Sequence, residues 1–166
     1  MKILGKISEQ QVWDHWMAVE RHTKSDFRKD IRNPLPQDIR WCKAEIEELD
    51  LDKLFIISSS DWTDISNGTF KVLDVAAKIK SEIVSDNKDT VRLETDILKK
   101  INFINCGGSL DPVLFLVAPT VDGNFTLIEG NRRAVVFSLL NRIIECPVFL
   151  GLSTDILKYN WARKSR

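Results

Sequence analysis

The stretch from Asp111 to Leu140 constrains this chain more than any other. After Asp111-Pro112, Val113 to Ala118 is an almost unbroken apolar run, the pattern of a strand buried on both faces. Asp122-Gly123-Asn124 supplies a turn and Phe125 to Ile128 a second strand, so a hairpin is predicted. Glu129-Gly130-Asn131-Arg132-Arg133 follows, then Ala134 to Leu140, a helix apolar nearly all round. Only Asn131, Ser138, Arg142 and Glu145 make a polar stripe at i, i+3/i+4 spacing. Such a helix has to be central and covered on most sides.

The remaining elements are read around this unit. Ser8 and Gln11 stand at capping-box spacing, and Val12, Trp16 and Val19, with Trp13 and Met17 beside them, predict a helix from Ser8 to Thr23. A polar stretch, Lys24 to Asn33, ends at Pro34-Leu35-Pro36, which cannot continue a helix. The spacing of Ile39, Cys42, Ile46 and Leu49 predicts a second helix from Gln37 to Leu49, with Glu45, Glu47 and Glu48 on its solvated face. Residues 1–49 are thus expected to be a helical N-terminal lead to a single compact unit, residues 50–166.

Leu54-Phe55-Ile56-Ile57 reads as a strand, Lys71–Val84 and Val91–Ile104 as helices, and Ser85-Asp86-Asn87-Lys88-Asp89 as the loop between them. Gly107-Gly108 stops the second helix. Pro147–Leu150 reads as a strand, and Ser153 caps a short C-terminal helix reaching Trp161. Strands and helices mix without a βαβ rhythm, so the class is α+β.

With 166 residues and 19.1 kDa the chain is expected to form one unit, since chains of this size bury about 70% of their unfolded surface. Its 24 Lys and Arg balance 24 Asp and Glu. That excludes a strongly basic nucleic-acid protein and makes DNA a disfavoured partner. No apolar run approaches the roughly 18 residues of a membrane helix, and Met1 to Gly5 is too short for a signal peptide. A cytoplasmic protein with no membrane partner is expected. Cys42, Cys106 and Cys146 are widely spaced and are read as reduced, mostly buried thiols. His15 and His22 are the only histidines; without a nearby ligand pattern they predict no metal site, and they leave little room for a histidine-activated nucleophile.

Chemistry concentrates at residues 129–133. Gly130 lets the backbone turn sharply, the helix start offers free amides at the positive end of its dipole, and two guanidinium groups stand beside it. Together these describe an anion site, phosphate foremost. The alternative is that Arg132 and Arg133 simply pair with Glu129, Glu145 or Asp111.

Gly108-Ser109-Leu110-Asp111-Pro112-Val113, about twenty residues before Glu129-Gly130-Asn131-Arg132-Arg133-Ala134, resembles the two boxes of the ParB/sulfiredoxin superfamily. There a G-x-x-x-P box precedes a hairpin, and a G-E-R-R or D-G-x-H-R box opens a helix; the resemblance covers residues 50–152. It implies a small mixed sheet with the buried helix after the second box, and nucleotide phosphates held where that helix begins. Members are CTP-hydrolysing clamps, sulfinic-acid reductases, free-serine kinases or nuclease-like defence modules. By position, Gly130 would approach the phosphates and Arg133 would grip them. Arg132 stands where relatives have Arg or His, and Gly108 and Pro112 match the first box, near the triphosphate. Glu129 takes the acidic place, as catalytic acid/base or beside Mg²⁺.

Asn131 replaces the sulfiredoxin cysteine and the ParB glutamate, which argues against sulfinic-acid reduction and against ParB-type CTP hydrolysis. Only 14 residues follow Leu152, so no helix-turn-helix is expected and chromosome partitioning is disfavoured.

The resulting expectation is a nucleotide- or phosphate-binding domain, an NTPase or small-molecule phosphotransferase, taking Mg²⁺ with its nucleotide. The alternative is a non-enzymatic interaction or regulatory module of phage defence or a mobile element, with its partner on the N-terminal helices and their tryptophans. A ParB-like nuclease or DNA-binding protein stands third. Trp13, Trp16, Trp41, Trp62 and Trp161 are read as core or interface residues, and Ser58 to Asp64 as a capping cluster after the first strand.

Overall fold

The computed structural model describes residues 1–20, 35–85, 92–144 and 146–162. The stretch Lys24–Asn33, most of the 85–89 loop, His22, Glu145 and the tail from Arg163 lie outside the described residues. In chain order the elements are β1 (Lys2–Lys6), α1 (Glu9–Glu20), β2 (Arg40–Glu45), a 3₁₀ helix (Glu48–Lys53), β3 (Leu54–Ile56), α2 (Ser60–Thr63), α3 (Val72–Ser85) and α4 (Arg92–Asn105). Then follow β4 (Leu114–Ala118), β5 (Phe125–Glu129), α5 (Asn131–Leu139), β6 (Pro147–Leu152) and a second 3₁₀ helix (Thr154–Lys158). The class is α+β, as expected.

All six strands form one mixed sheet in the order β1-β2-β6-β4-β5-β3. β1 with β2, β2 with β6 and β4 with β5 run antiparallel; β4 with β6 and β3 with β5 run parallel. The expected hairpin is present as β4 and β5. Every residue of β4 is buried, and the pleat divides them. Leu114, Leu116 and Ala118 join Val148, Leu150, Phe125 and Leu127 under α3, α4 and α5. Phe115 and Val117 join Phe149 and Ile128 on the opposite face, under α1 and the C-terminal 3₁₀ helix. Helices therefore cover both faces of the central strands, which is why β4 shows no polar alternation.

Local signals placed several boundaries well. Ser8 and Gln11 do form the capping box: the Gln11 amide donates to Ser8 Oγ (3.2 Å) and the Ser8 amide to Gln11 Oε1 (3.1 Å). α4 ends as its glycines require, with Gly107 at φ 86° and the Gly108 amide donating to the Phe103 carbonyl (2.9 Å). Ser153 Oγ accepts from the Asp155 amide at the final 3₁₀ helix.

The N-terminal segment departs from expectation. Residues 37–49 are not a helix: Arg40–Glu45 is β2, and Glu48–Lys53 is a 3₁₀ turn. Leu49, expected inward, is 88% exposed. The spacing of Ile39, Cys42, Ile46 and Leu49 imitates a helical stripe, but β2 lies inside the sheet and buries residues on both faces. Trp41 packs under α1, and Cys42 and Ala44 pack under the other helical layer. Pairing along the whole strand, Arg40 with Leu152 through Glu45 with Pro147, overrides the periodicity. Glu45 thus sits on a strand, bonded to Lys2 Nζ (2.9 Å), and Glu47 pairs with the Met1 ammonium (3.0 Å). The lead is therefore not purely helical, because β1 and β2 extend the sheet.

Candidate functional site

The polar centre lies at the end of the sheet where β5 stops and β4 begins. Gly130 closes β5 and opens α5 with φ 86° and ψ 15°. A Cβ at this position would lie 2.8 Å from Leu114 Cδ2 and 3.3 Å from Arg133 Nη2, so both the backbone angle and the space demand glycine. Gly130 brings no capping side chain, and the first helical bond runs from the Ala134 amide to the Gly130 carbonyl (2.8 Å). The amides of Asn131, Arg132 and Arg133 precede that bond, at the positive end of a nine-residue helix.

Four side chains form a continuous chain across the end of the strand layer. Arg133 is buried and donates through Nη1 to the Asp111 carbonyl (2.8 Å) and through Nη2 to Glu129 Oε1 (3.3 Å). Its Nη1 is also 3.5 Å from Asp111 Oδ2. That same carboxylate oxygen meets His15 Nε2 at 2.8 Å, while Oδ1 accepts from the Val113 amide (2.9 Å). The His15 imidazole rests edge-on against Phe149, ring centroids 5.3 Å apart. The series His15, Asp111, Arg133, Glu129 thus joins α1 on one face of the sheet to α5 on the other. Nothing in the sequence around residue 15 announces a carboxylate 96 positions away.

Arg132 is placed differently. Its side chain is 38% exposed and, among the described residues, meets one carboxylate, Asp96 Oδ2 of α4, at 3.5 Å. Asn131 is a brace: its Oδ1 accepts the Ile57 amide (3.1 Å), tying the loop after β3 to the start of α5. Ser58, next in that loop, has a buried hydroxyl that makes no hydrogen bond among the described residues. The expected capping cluster is present here in part. Ser59 is the N-cap residue of α2 and its carbonyl accepts the Trp62 amide (3.1 Å), but its side chain makes no cap bond.

Glu129, Gly130, Asn131, Arg132 and Arg133 therefore share one strand-to-helix junction, and Asp111 brings the adjacent Pro112 loop to it. Gly108 has a structural task of its own. A Cβ there would strike the Phe103 ring at 2.5 Å, so this glycine serves the end of α4. Cys146, in the loop before β6, is buried, and burial pushes its thiol up to about 11 while the positive charge of Arg133 opposes the shift. Its Sγ donates to the Arg142 carbonyl (3.1 Å). Cys42 is also buried, whereas Cys106 is exposed.

The tryptophans of the N-terminal segment are unavailable to a partner. Trp13, Trp16 and Trp41 are all buried and pack edge-to-face, with Trp13 5.6 Å from Trp16 and 5.9 Å from Trp41. Among the described residues no three His, Cys, Asp or Glu side chains gather to hold a metal ion. None of the described helices is long and apolar enough to cross a membrane. Compared with family models, with curated proteins and with solved structures, the chain finds no match in any of the three.

Proposed function

We propose that this chain binds a phosphate-bearing small molecule, a nucleotide foremost, where α5 begins, in the manner of ParB/sulfiredoxin-like domains. One observation carries the reading. The left-handed Gly130 opens a helix with no side-chain cap, beside the half-exposed guanidinium of Arg132. Amides at a helix start and a cation that can turn toward solvent are the two components of an anion cradle. The Ser58 hydroxyl, without a hydrogen bond among the described residues and one residue beyond the Ile57–Asn131 bond, offers a further donor.

The geometry also revises the roles within this proposal. Arg133 is already satisfied by Asp111 and Glu129, so it positions the junction and Arg132 grips the ligand. Glu129 Oε1 is already engaged by Arg133 Nη2, which favours binding without turnover over an NTPase or phosphotransferase. Any Mg²⁺ would arrive on the nucleotide's own phosphates.

Thermal unfolding with ATP, CTP, GTP and UTP, each with and without Mg²⁺, tests the reading. A ligand at 100 times its Kd adds about 2.7 kcal/mol, which is roughly 5 to 11 °C in Tm for a chain of this size. The expected result is such a shift for one nucleotide, lost in Arg132→Ala while the ligand-free Tm of that variant stays near wild type. Unchanged Tm across the whole panel would overturn it.

A further inference from the structure

The two edges of the sheet are treated differently. At one edge, β3 is three residues long and is covered: Phe55 bridges Lys71, and the Ile56 amide donates to the Phe70 carbonyl (2.8 Å). At the other edge, β1 is five residues long, and no element among the described residues pairs with its outer side. Every residue of β1 is exposed, including Ile3 at 44% and Leu4 at 51%. Ile3 stands opposite Ala44 and Gly5 opposite Lys43, so Leu4 falls at a bulge with no counterpart in β2. A residue at such a bulge is left out of the ladder, and about half of the Leu4 side chain faces solvent.

The charge of this edge is one-sided. Lys2, Lys6, Arg40 and Lys43 stand on β1 and β2 against a single carboxylate, Glu45, in a chain whose total charges cancel. Lys2 is bonded to Glu45 (2.9 Å), but Lys6, Arg40 and Lys43 have no ion pair among the described residues. Lys6 lies opposite Cys42 and Lys43 opposite Gly5, so the pleat sends these two cations to opposite faces of the edge.

We infer that β1 is a docking edge for an extended, acidic segment of another protein, which adds to the sheet as a seventh strand. Main-chain hydrogen bonds to β1 supply the affinity. Ile3 and Leu4 take the apolar side chains of the incoming strand, and Lys6 and Lys43 select carboxylates on its two faces. A second copy of this chain is a poor occupant. Two β1 strands paired antiparallel about Leu4 would set Lys2 against Lys6, and like charges directly opposite each other are destabilising. Lysines on an open edge also discourage indiscriminate pairing, which leaves acidic strands as the ones admitted.

The test uses two synthetic peptides of alternating residues, one Glu-Val and one Lys-Val, with amide hydrogen exchange of residues 3–6 as the readout. The Glu-Val peptide is expected to slow exchange there tenfold or more, less so in high salt, with no effect from the Lys-Val peptide. The pair Lys6→Glu and Lys43→Glu should reverse that preference, and because both side chains are exposed its unfolding temperature serves as the check on folding. Equal protection by both peptides, or by neither, would overturn the inference. So would protection already present without peptide that rises with protein concentration, which would mark the edge as a contact between copies.

Discussion

Arg133 is the residue on which the junction turns. Its guanidinium is buried with two carboxylates and a carbonyl around it, so removing it takes the buried cation away from Asp111 and Glu129. Breaking a buried ion pair from one side costs about 3–5 kcal/mol. Asp111 keeps 22% of its side chain exposed, which places Arg133→Ala near the lower end, about 3 kcal/mol, in urea unfolding. Arg133→Lys should recover little of it, because one ammonium cannot span Asp111 and Glu129 with a planar fork.

Cys146 gives a second expectation at this scale. Burial raises its thiol to about 11 from an ordinary 9, so the native state keeps a proton that the unfolded chain releases. Stability is therefore fully present below pH 9 and is lost as the pH climbs through about 11. In Cys146→Ala that part of the alkaline decline should vanish. Iodoacetamide at neutral pH should label Cys106 first, with Cys42 and Cys146 reacting only on unfolding, as mass spectrometry of the labelled peptides would show.

Among the elements, α1 rests on an aromatic cluster with Phe115 at its centre. Phe115 is fully buried, 5.0 Å from Trp16 and 5.3 Å from Phe149 between ring centroids. Phe115→Ala is expected to cost about 3–5 kcal/mol in denaturant unfolding. Trp13 and Trp16 fluorescence should report loosening of α1 at denaturant concentrations where the wild-type chain is still native. The elements also differ in how well the sequence foretold them. β4, β5 and α5 were legible because each signal was local: an apolar run, a turn triplet, a glycine before a buried helix. β2 was not, because burial on both faces erased its alternation and left an accidental helical spacing at Ile39, Cys42 and Ile46. β1 was missed for a related reason: exposed throughout and broken by Gly5, it carries no periodicity at all. At the site, the grouping of residues 129–133 could be read from the chain. Arg133's commitment to Asp111 and Glu129 was one of two readings the chain left open. The link from His15 could not be read, since it exists only after α1 has docked.

Across the whole molecule, a local hairpin–helix unit is completed by partners far away in the chain. β6 is the hinge of that arrangement, pairing parallel to β4 on one side and antiparallel to β2 on the other. Cys42 and Leu150, neighbours across the second of these ladders, are 108 positions apart. A ribosome adding about 5–20 residues per second would therefore make β2 wait roughly 5 to 20 s for its inner neighbour. Throughout that interval the nascent chain carries Trp13, Trp16 and Trp41 with no β6 to complete the sheet beneath them. The stretch from β4 to α5, by contrast, has its hairpin partner within a few residues of emerging. The hairpin can thus close almost as it is made, while the tryptophans synthesised before it are the residues most in need of shelter until β6 arrives.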